Sequence, residues 1–234
     1  MKKILKMCDY FVSIIFSISF ILATAFIAVI PIASNNQYYM KQFIKNGVGD
    51  NLNYTIEELE KITESITNYL FHGASSMQIS IDNKDVFSNQ AILHMADVKD
   101  LFNLLTIAGI ISITIIIILC IYIYFRRRHI KKRFRLLTYL TFLLFLLLIS
   151  VASIYALIDF NEAWTNFHHL FFPDPEKFNN AFFPYNDTLI NILTLDFFFD
   201  IFFEIIIRFV AMFIILFVII QTLYSKKIIS KFNR

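Results

Sequence analysis

The sequence predicts a mainly α-helical integral membrane protein, with four transmembrane helices and a small α+β extracytoplasmic cap. Three observations carry that expectation. The 234 residues are 58% hydrophobic, with a mean hydropathy of +0.64, whereas a soluble domain is usually ~45–50% apolar. The excess is concentrated in four runs, at residues 11–33, 101–125, 136–158 and 201–223. The basic residues gather in short segments beside those runs.

A helix needs about 20 apolar residues, each rising ~1.5 Å, to cross ~30 Å of hydrocarbon. The first three runs meet that length without one Asp, Glu, Lys or Arg; the fourth contains Glu204 and Arg208. Residues 1–234 therefore read as a single membrane domain, with extracytoplasmic segments at 34–100 and 159–200. The first run follows Lys2, Lys3 and Lys6, and Ala33-Ser34 could pass for a cleavage site. The run exceeds the ~7–15 residues of a signal-peptide core, so a retained anchor is expected.

Fourteen of the 21 Lys and Arg lie in three places: the first six residues, the block 126–135 and the segment 226–234. Short loops rich in Lys and Arg stay cytoplasmic. All three places can be cytoplasmic only if the number of spans is even, so both termini are expected inside. The position of the block RRRHIKKRFR between two spans makes topology, with contact to anionic headgroups of membrane lipids, a better reading than nucleic-acid binding. Cys8 and Cys120 lie in or beside spans, so no external disulfide framework is expected. The Phe, Ile, Lys and Asn bias suggests an AT-rich bacterial genome, and hence a bacterial cytoplasmic membrane.

In the first external segment, Thr55-Ile56-Glu57-Glu58 reads as a capping box. Ile56, Leu59, Ile62, Ile66 and Leu70 follow at helical spacing, predicting an amphipathic helix over 56–70. Met77, Ile79 and Ile81 alternate as in a strand, Asp82-Asn83-Lys84 makes a turn, and Val86-Phe87 begins a return. A helix then starts near Ser88 or Asn89 and continues into the second span. The second external segment is crowded with Phe, with Trp164 and Tyr185, and broken by Pro173, Pro175 and Pro184. It reads as a loop lying in the headgroup region, where aromatic rings find both apolar and polar partners.

Of five histidines, His94, His168 and His169 come out on one membrane face, before span two and after span three. Histidines there can exchange protons near neutral pH, and two facing one pocket make a general base and acid; for any one of them alone, interfacial hydrogen bonding is the simpler reading. His94 and Asp97 are three apart on a helix and share a face, either as an oriented catalytic pair or as a surface contact. A zinc site from His94, His168 and acids is the competing use, although no H-E-x-x-H or paired-Cys spacing is present. With four Gly and no G-x-S-x-G or P-loop, phosphate-cradling and serine-elbow chemistries are unsupported; no metal and no cofactor are expected. Asp196, Asp200, Glu204 and Arg208 recur every four residues. Glu204 and Arg208 should enter the outer leaflet, as a structural ion pair or as the lining of a polar pocket.

Three stretches together resemble one family. They are Leu93-His94-Met95-Ala96-Asp97-Val98-Lys99 before span two, Phe167-His168-His169-Leu170-Phe171-Phe172 after span three, and Asp187-Thr188-Leu189-Ile190 before span four. In these motifs and in topology the chain resembles the bacterial lipoprotein intramolecular transacylases. The resemblance implies an acyltransferase whose partner is a lipid-modified lipoprotein. It moves the sn-2 acyl chain of an N-terminal diacylglyceryl cysteine to that cysteine's own α-amino group, giving the lyso form. It implies His94 and His168 as the catalytic pair at the extracytoplasmic face, with His169 at a variable position. Asp97, His169, Phe171, Phe172, Asp187, Glu204 and Arg208 are the candidates for supporting or substrate-binding roles. The contrasting class is a non-catalytic accessory or sensor protein with an external cap.

Overall fold

In the computed structural model, residues 2–223 are described; the C-terminal basic cluster at 226–234 lies outside the described residues. The elements run α1 (Lys2–Ala33), α2 (Asn36–Lys45), α3 (Val48–Leu52), α4 (Ile56–Phe71), β1 (Ser80–Ile81), β2 (Lys84–Asp85), α5 (Asn89–Ile158), α6 (Phe160–Phe171), α7 (Pro175–Asn180), α8 (Thr188–Ile192) and α9 (Leu195–Leu223). The protein is thus mainly helical. Among the described residues, three stretches are long and apolar enough to cross a membrane: Tyr10–Ala33, Asn89–Tyr122 and Phe134–Ile158. The described chain divides into two compact units.

The first unit holds the residues up to Ala28, Leu105–Ala152 and the residues from Ile206 on. Its interior is aromatic. Phe20, Phe142 and Phe213 meet with ring centroids 4.8 to 5.4 Å apart, and Phe16 packs edge-on against Phe134 at 5.1 Å. Ser13, Ser17 and Thr24 are buried on α1; the Ser17 and Thr24 hydroxyls donate back to the carbonyls of Ser13 and Phe20, so these two are satisfied within the helix. The outward faces are aliphatic instead: Ile107, Ile110, Ile117, Leu143, Leu147 and Val151 are each more than half exposed. A polar interior edge with an aliphatic exterior suits a helix bundle in lipid, where small and hydroxylated residues let backbones approach.

α5 is 70 residues long and helical through the basic block, where the apolar runs predicted a loop. It does not run straight. Gly109 lies against Phe26, and Phe134 against Phe16. Ten residues of α1 separate those two contacts by ~15 Å, whereas 25 residues of a straight helix would span ~38 Å. The chain therefore turns back between 109 and 134 without losing helical hydrogen bonding.

The second unit holds Val29–Leu104 and Ser153–Ile205. Thr55 and Glu58 form the expected capping box at the start of α4, and Leu59, Ile62, Ile66 and Leu70 bury its apolar face. These residues pack with Tyr39, Phe43, Val48, Met77, Val86, Leu189, Ile192 and Phe197 in one core. β1 and β2 form an antiparallel hairpin pairing Ser80 with Asp85 and Ile81 with Lys84. Its turn places Asp82 and Asn83 at φ 51° and 60°, the doubly left-handed conformation that matches strand twist and that Asp and Asn tolerate. The stretch after Ser34 is helical: Asn35 caps α2 by accepting from the Gln37 and Tyr38 amides. The proline-bearing segment is likewise mostly helical. Pro175 stands at the first position of α7, where a missing N–H costs nothing.

Candidate functional site

The two implied histidines meet in the second unit. His94 sits on α5, about one and a half turns past its cap, and His168 on α6. Their ring centroids are 5.9 Å apart, and each ring is more than nine-tenths buried. Phe172 lies beside both, with centroids 5.3 Å from His94 and 5.8 Å from His168. Phe183 covers His94 at 5.6 Å, and Trp164 meets His168 edge-on at 4.7 Å. The wall around the pair is therefore aromatic.

The two rings differ in their hydrogen bonding. His168 Nδ1 is 2.8 Å from the carbonyl oxygen of Trp164, one turn back on α6. A carbonyl only accepts, so Nδ1 carries the proton and the neutral ring keeps its lone pair on Nε2. Burial pushes the His168 pKa below its ordinary value; the Trp164 carbonyl opposes the shift and His169 adds to it. The ring is therefore neutral at pH 7. Among the described residues, no protein group hydrogen-bonds the buried Nδ1 of His94. Buried polar atoms normally have partners, and an atom lacking one beside a second histidine suits a ligand contact.

Asp187 has a defined place. One of its oxygens accepts from the Leu189 amide at 2.8 Å, capping α8. The other accepts from the Ser88 hydroxyl at 2.6 Å, and Ser88 in turn caps α5 by accepting from the Ala91 amide. One buried carboxylate thus ties together the starts of two helices, one of which carries His94. Ser88→Ala should lower stability by about 1 kcal/mol through the lost cap, measured as a reduced thermal midpoint in detergent.

Asp97 does not hydrogen-bond His94. Its partner is Lys177 of α7, with Nζ 2.6 Å from Oδ1. The hydrogen bond and charge of Asp97 raise the Lys177 pKa. Gln90, one turn before His94, donates to the Phe182 carbonyl at 2.7 Å. Gln90, His94 and Asp97 fall at i, i+4 and i+7, on one face of α5. His169 and Phe171 are exposed, while Phe172 is buried. Glu204 is half-buried in the second unit; Arg208, one turn on, is exposed in the first. Sequence reasoning missed Lys177, Gln90 and Phe183. Nothing in residue spacing connects a lysine between two prolines to an aspartate eighty residues earlier. Among the described residues, no three His, Cys, Asp or Glu cluster as metal ligands.

Helices of membrane-spanning length joined to a compact unit that buries a histidine pair define a membrane-integral protein, and solved structures share this architecture. The fold superimposes with a TM-score of 0.78 on the membrane-integral lipoprotein intramolecular transacylase Lit from Bacillus cereus, at 19% identity, covering 96% of this chain and 99% of that one. Two histidine variants of the Bacillus cereus protein match at TM-score 0.75: one to alanine at 18% identity, covering 97% of this chain and 98% of that one, and one to arginine at 19%, covering 97% of each. The family model for the lipoprotein intramolecular transacylase Lit matches residues 14–198. The chain belongs to the lipoprotein intramolecular transacylase family, a family of acyltransferases that modify lipoproteins, and is a multi-pass bacterial membrane protein. Comparison with curated proteins found no match.

Proposed function

We propose that this protein transfers the sn-2 acyl chain of a diacylglyceryl lipoprotein to the α-amino group of the same N-terminal cysteine. The observation that carries the reading is the buried pair His94 and His168, 5.9 Å apart in an aromatic wall. In this reading the nucleophile and the ester both belong to the substrate, so the protein must supply proximity and proton transfer. The α-ammonium first loses a proton to water, and the neutral α-amine then attacks the sn-2 ester carbonyl. His168 Nε2, its lone pair set by the Trp164 carbonyl, takes one N–H proton. His94 donates a hydrogen bond to the tetrahedral oxygen. As that intermediate collapses, the bond to the glycerol oxygen breaks and His168 returns its proton there. The products are an amide on the cysteine nitrogen and a free sn-2 hydroxyl, with total mass unchanged. Asp97, His169, Phe171, Phe172, Asp187, Glu204 and Arg208 are the candidates for supporting roles in this reading; of these, Phe172 walls the pair and Asp187 holds the start of the helix bearing His94.

In the same reading α9, with 29 residues, is the fourth span, near residues 201–223, and residues 1–234 act as a single membrane domain. The 126–135 block and both termini are cytoplasmic, following the distribution of Lys and Arg. Segments 34–100 and 159–200 then form the extracytoplasmic cap. The histidines lie at the outer boundary of the membrane, where a lipid-anchored amine and ester would be presented.

The test is mass spectrometry of a lipoprotein's N-terminal peptide from bacteria with and without this protein. The expected result is one acyl chain moved from glycerol to the α-amine at constant mass. An unchanged diacylglyceryl cysteine with a free amine, despite good membrane expression, would refute the reading and favour an accessory or sensor role.

A further inference from the structure

We infer that Asp97 is the subsite for the substrate's α-ammonium group, and that Lys177 is a displaceable place-holder for it. The inference rests on the transacylase reading above. Its geometric ground is the position of Asp97 on the His94 face of α5, one turn further along. The His94 and His168 rings are 5.9 Å apart, so an amine that gives its proton to His168 Nε2 also comes to the His94 face of α5, where a carboxylate stands one turn along. That carboxylate already binds a primary ammonium, the Nζ of Lys177 at 2.6 Å, which has the same chemistry as a protonated N-terminus.

The two partners are unequally anchored. The Asp97 side chain is 16% exposed, on a long helix, whereas the Lys177 side chain is 49% exposed. Lys177 sits on α7, a six-residue helix between Pro173 and Pro184. A flexible four-carbon stem can swing from the carboxylate into water at little cost, because an ammonium is strongly hydrated. Asp97 would then remain as a largely buried anion needing a cation, and the arriving ammonium meets that need. Lys177 keeps the carboxylate paired between turnovers and competes weakly with substrate.

A structural salt bridge and a place-holder make opposite predictions for the two partners. The assay uses the full chain in nanodiscs with a synthetic diacylglyceryl-cysteine peptide, following N-acyl product. Asp97→Asn should raise KM by about 10- to 100-fold with kcat little changed, the loss expected for a charge-assisted contact made in the ground state. Lys177→Ala should lower KM, by about 3- to 10-fold, because the competing occupant is gone. An α-N-acetylated analogue of the peptide, which has no ammonium, should inhibit wild type and Asp97→Asn with equal Ki; this also shows that the variant is folded. A rise in KM for Lys177→Ala matching that of Asp97→Asn would overturn the inference in favour of a structural latch. A parallel loss of analogue binding in Asp97→Asn would overturn it as well. If the wild type gives no N-acyl product, the transacylase reading itself falls, an outcome distinct from a working wild type whose variants fail to diverge.

Discussion

Replacing His168 with glutamine should reduce transacylation by about 10²–10⁴-fold, the usual range for a positioned proton-transfer group. Glutamine keeps the approximate size of imidazole and can still hydrogen-bond, but it has no lone pair of comparable basicity. Packing against Trp164 and Phe172 should survive, so the loss should appear in kcat while membrane expression and thermal midpoint stay near wild type. His94→Gln should also reduce kcat, by removing a hydrogen-bond donor to the tetrahedral oxygen. The double variant should be little worse than His168→Gln, since residues acting as one unit are not additive. Lyso-form product at normal yield from either well-folded single variant would exclude the histidine mechanism. The pH profile offers a second check. A general base works only when neutral, and burial lowers the pKa of His168 from its ordinary value of 6.5. The part of the acid limb that belongs to this group should therefore be centred below pH 6.5, the rate falling as pH drops through it. The substrate amine, ordinarily about 7.7–8.0, adds its own limb at higher pH, so the check is the limb below pH 6.5, which should vanish in His168→Gln; a limb that persists there would contradict the assignment.

Gly109→Ala should destabilise the protein by about 2 kcal/mol. A Cβ at this position would stand 2.3 Å from Phe26 Cγ and 2.4 Å from Phe26 Cβ. The second of these atoms is fixed to the α1 backbone, so the ring cannot simply rotate away. An overpacking cost of up to about 3 kcal/mol outweighs the roughly 1 kcal/mol by which alanine favours a helix over glycine. The sign of the effect should depend on the neighbour. In a Phe26→Gly background, which removes that Cβ together with the ring, the clash disappears, and Gly109→Ala should become neutral or stabilising. Thermal unfolding in detergent of the four proteins in this cycle measures the coupling. Equal destabilisation by Gly109→Ala in both backgrounds would show that close helix approach is not the reason for the glycine.

Apolar run length and helical spacing carry most of the α-helical architecture, because a membrane-spanning stretch and an amphipathic helix each leave a strong local signature. The capping box at Thr55 and the apolar stripe of α4 are of this kind. So is the start of α5 at Ser88. What escaped detection depends on tertiary context. α2, α3 and α7 have 10, 5 and 6 residues, too short for a periodic signal and held by packing rather than propensity. Helical continuity through 126–135 escaped because a run of Lys and Arg is a good helix former even where it separates two apolar runs. In the candidate site, His94 was legible because it precedes an apolar span on a predictable helix, and His168 and Phe172 because they stand in a short motif, although their segment reads as a loop in the sequence and folds as α6 and its cap. The Asp97 partner was not. Intrahelical spacing favoured His94, whereas the fold brings in a more strongly charged group, Lys177, from a distant segment.

The hydrogen bond from His168 Nδ1 to the Trp164 carbonyl joins two residues within a single helical turn. The proposed base therefore carries its orienting partner inside a five-residue module and depends on no distant side chain for its tautomer. Because the acceptor is main chain, the side chain at 164 can vary in relatives while the proton stays on Nδ1. Insertion or deletion of one residue between 164 and 168 is a different matter: it would rotate the imidazole by ~100° about the α6 axis and break the module at once. Within this stretch the chain should tolerate changes of residue type far better than changes of length.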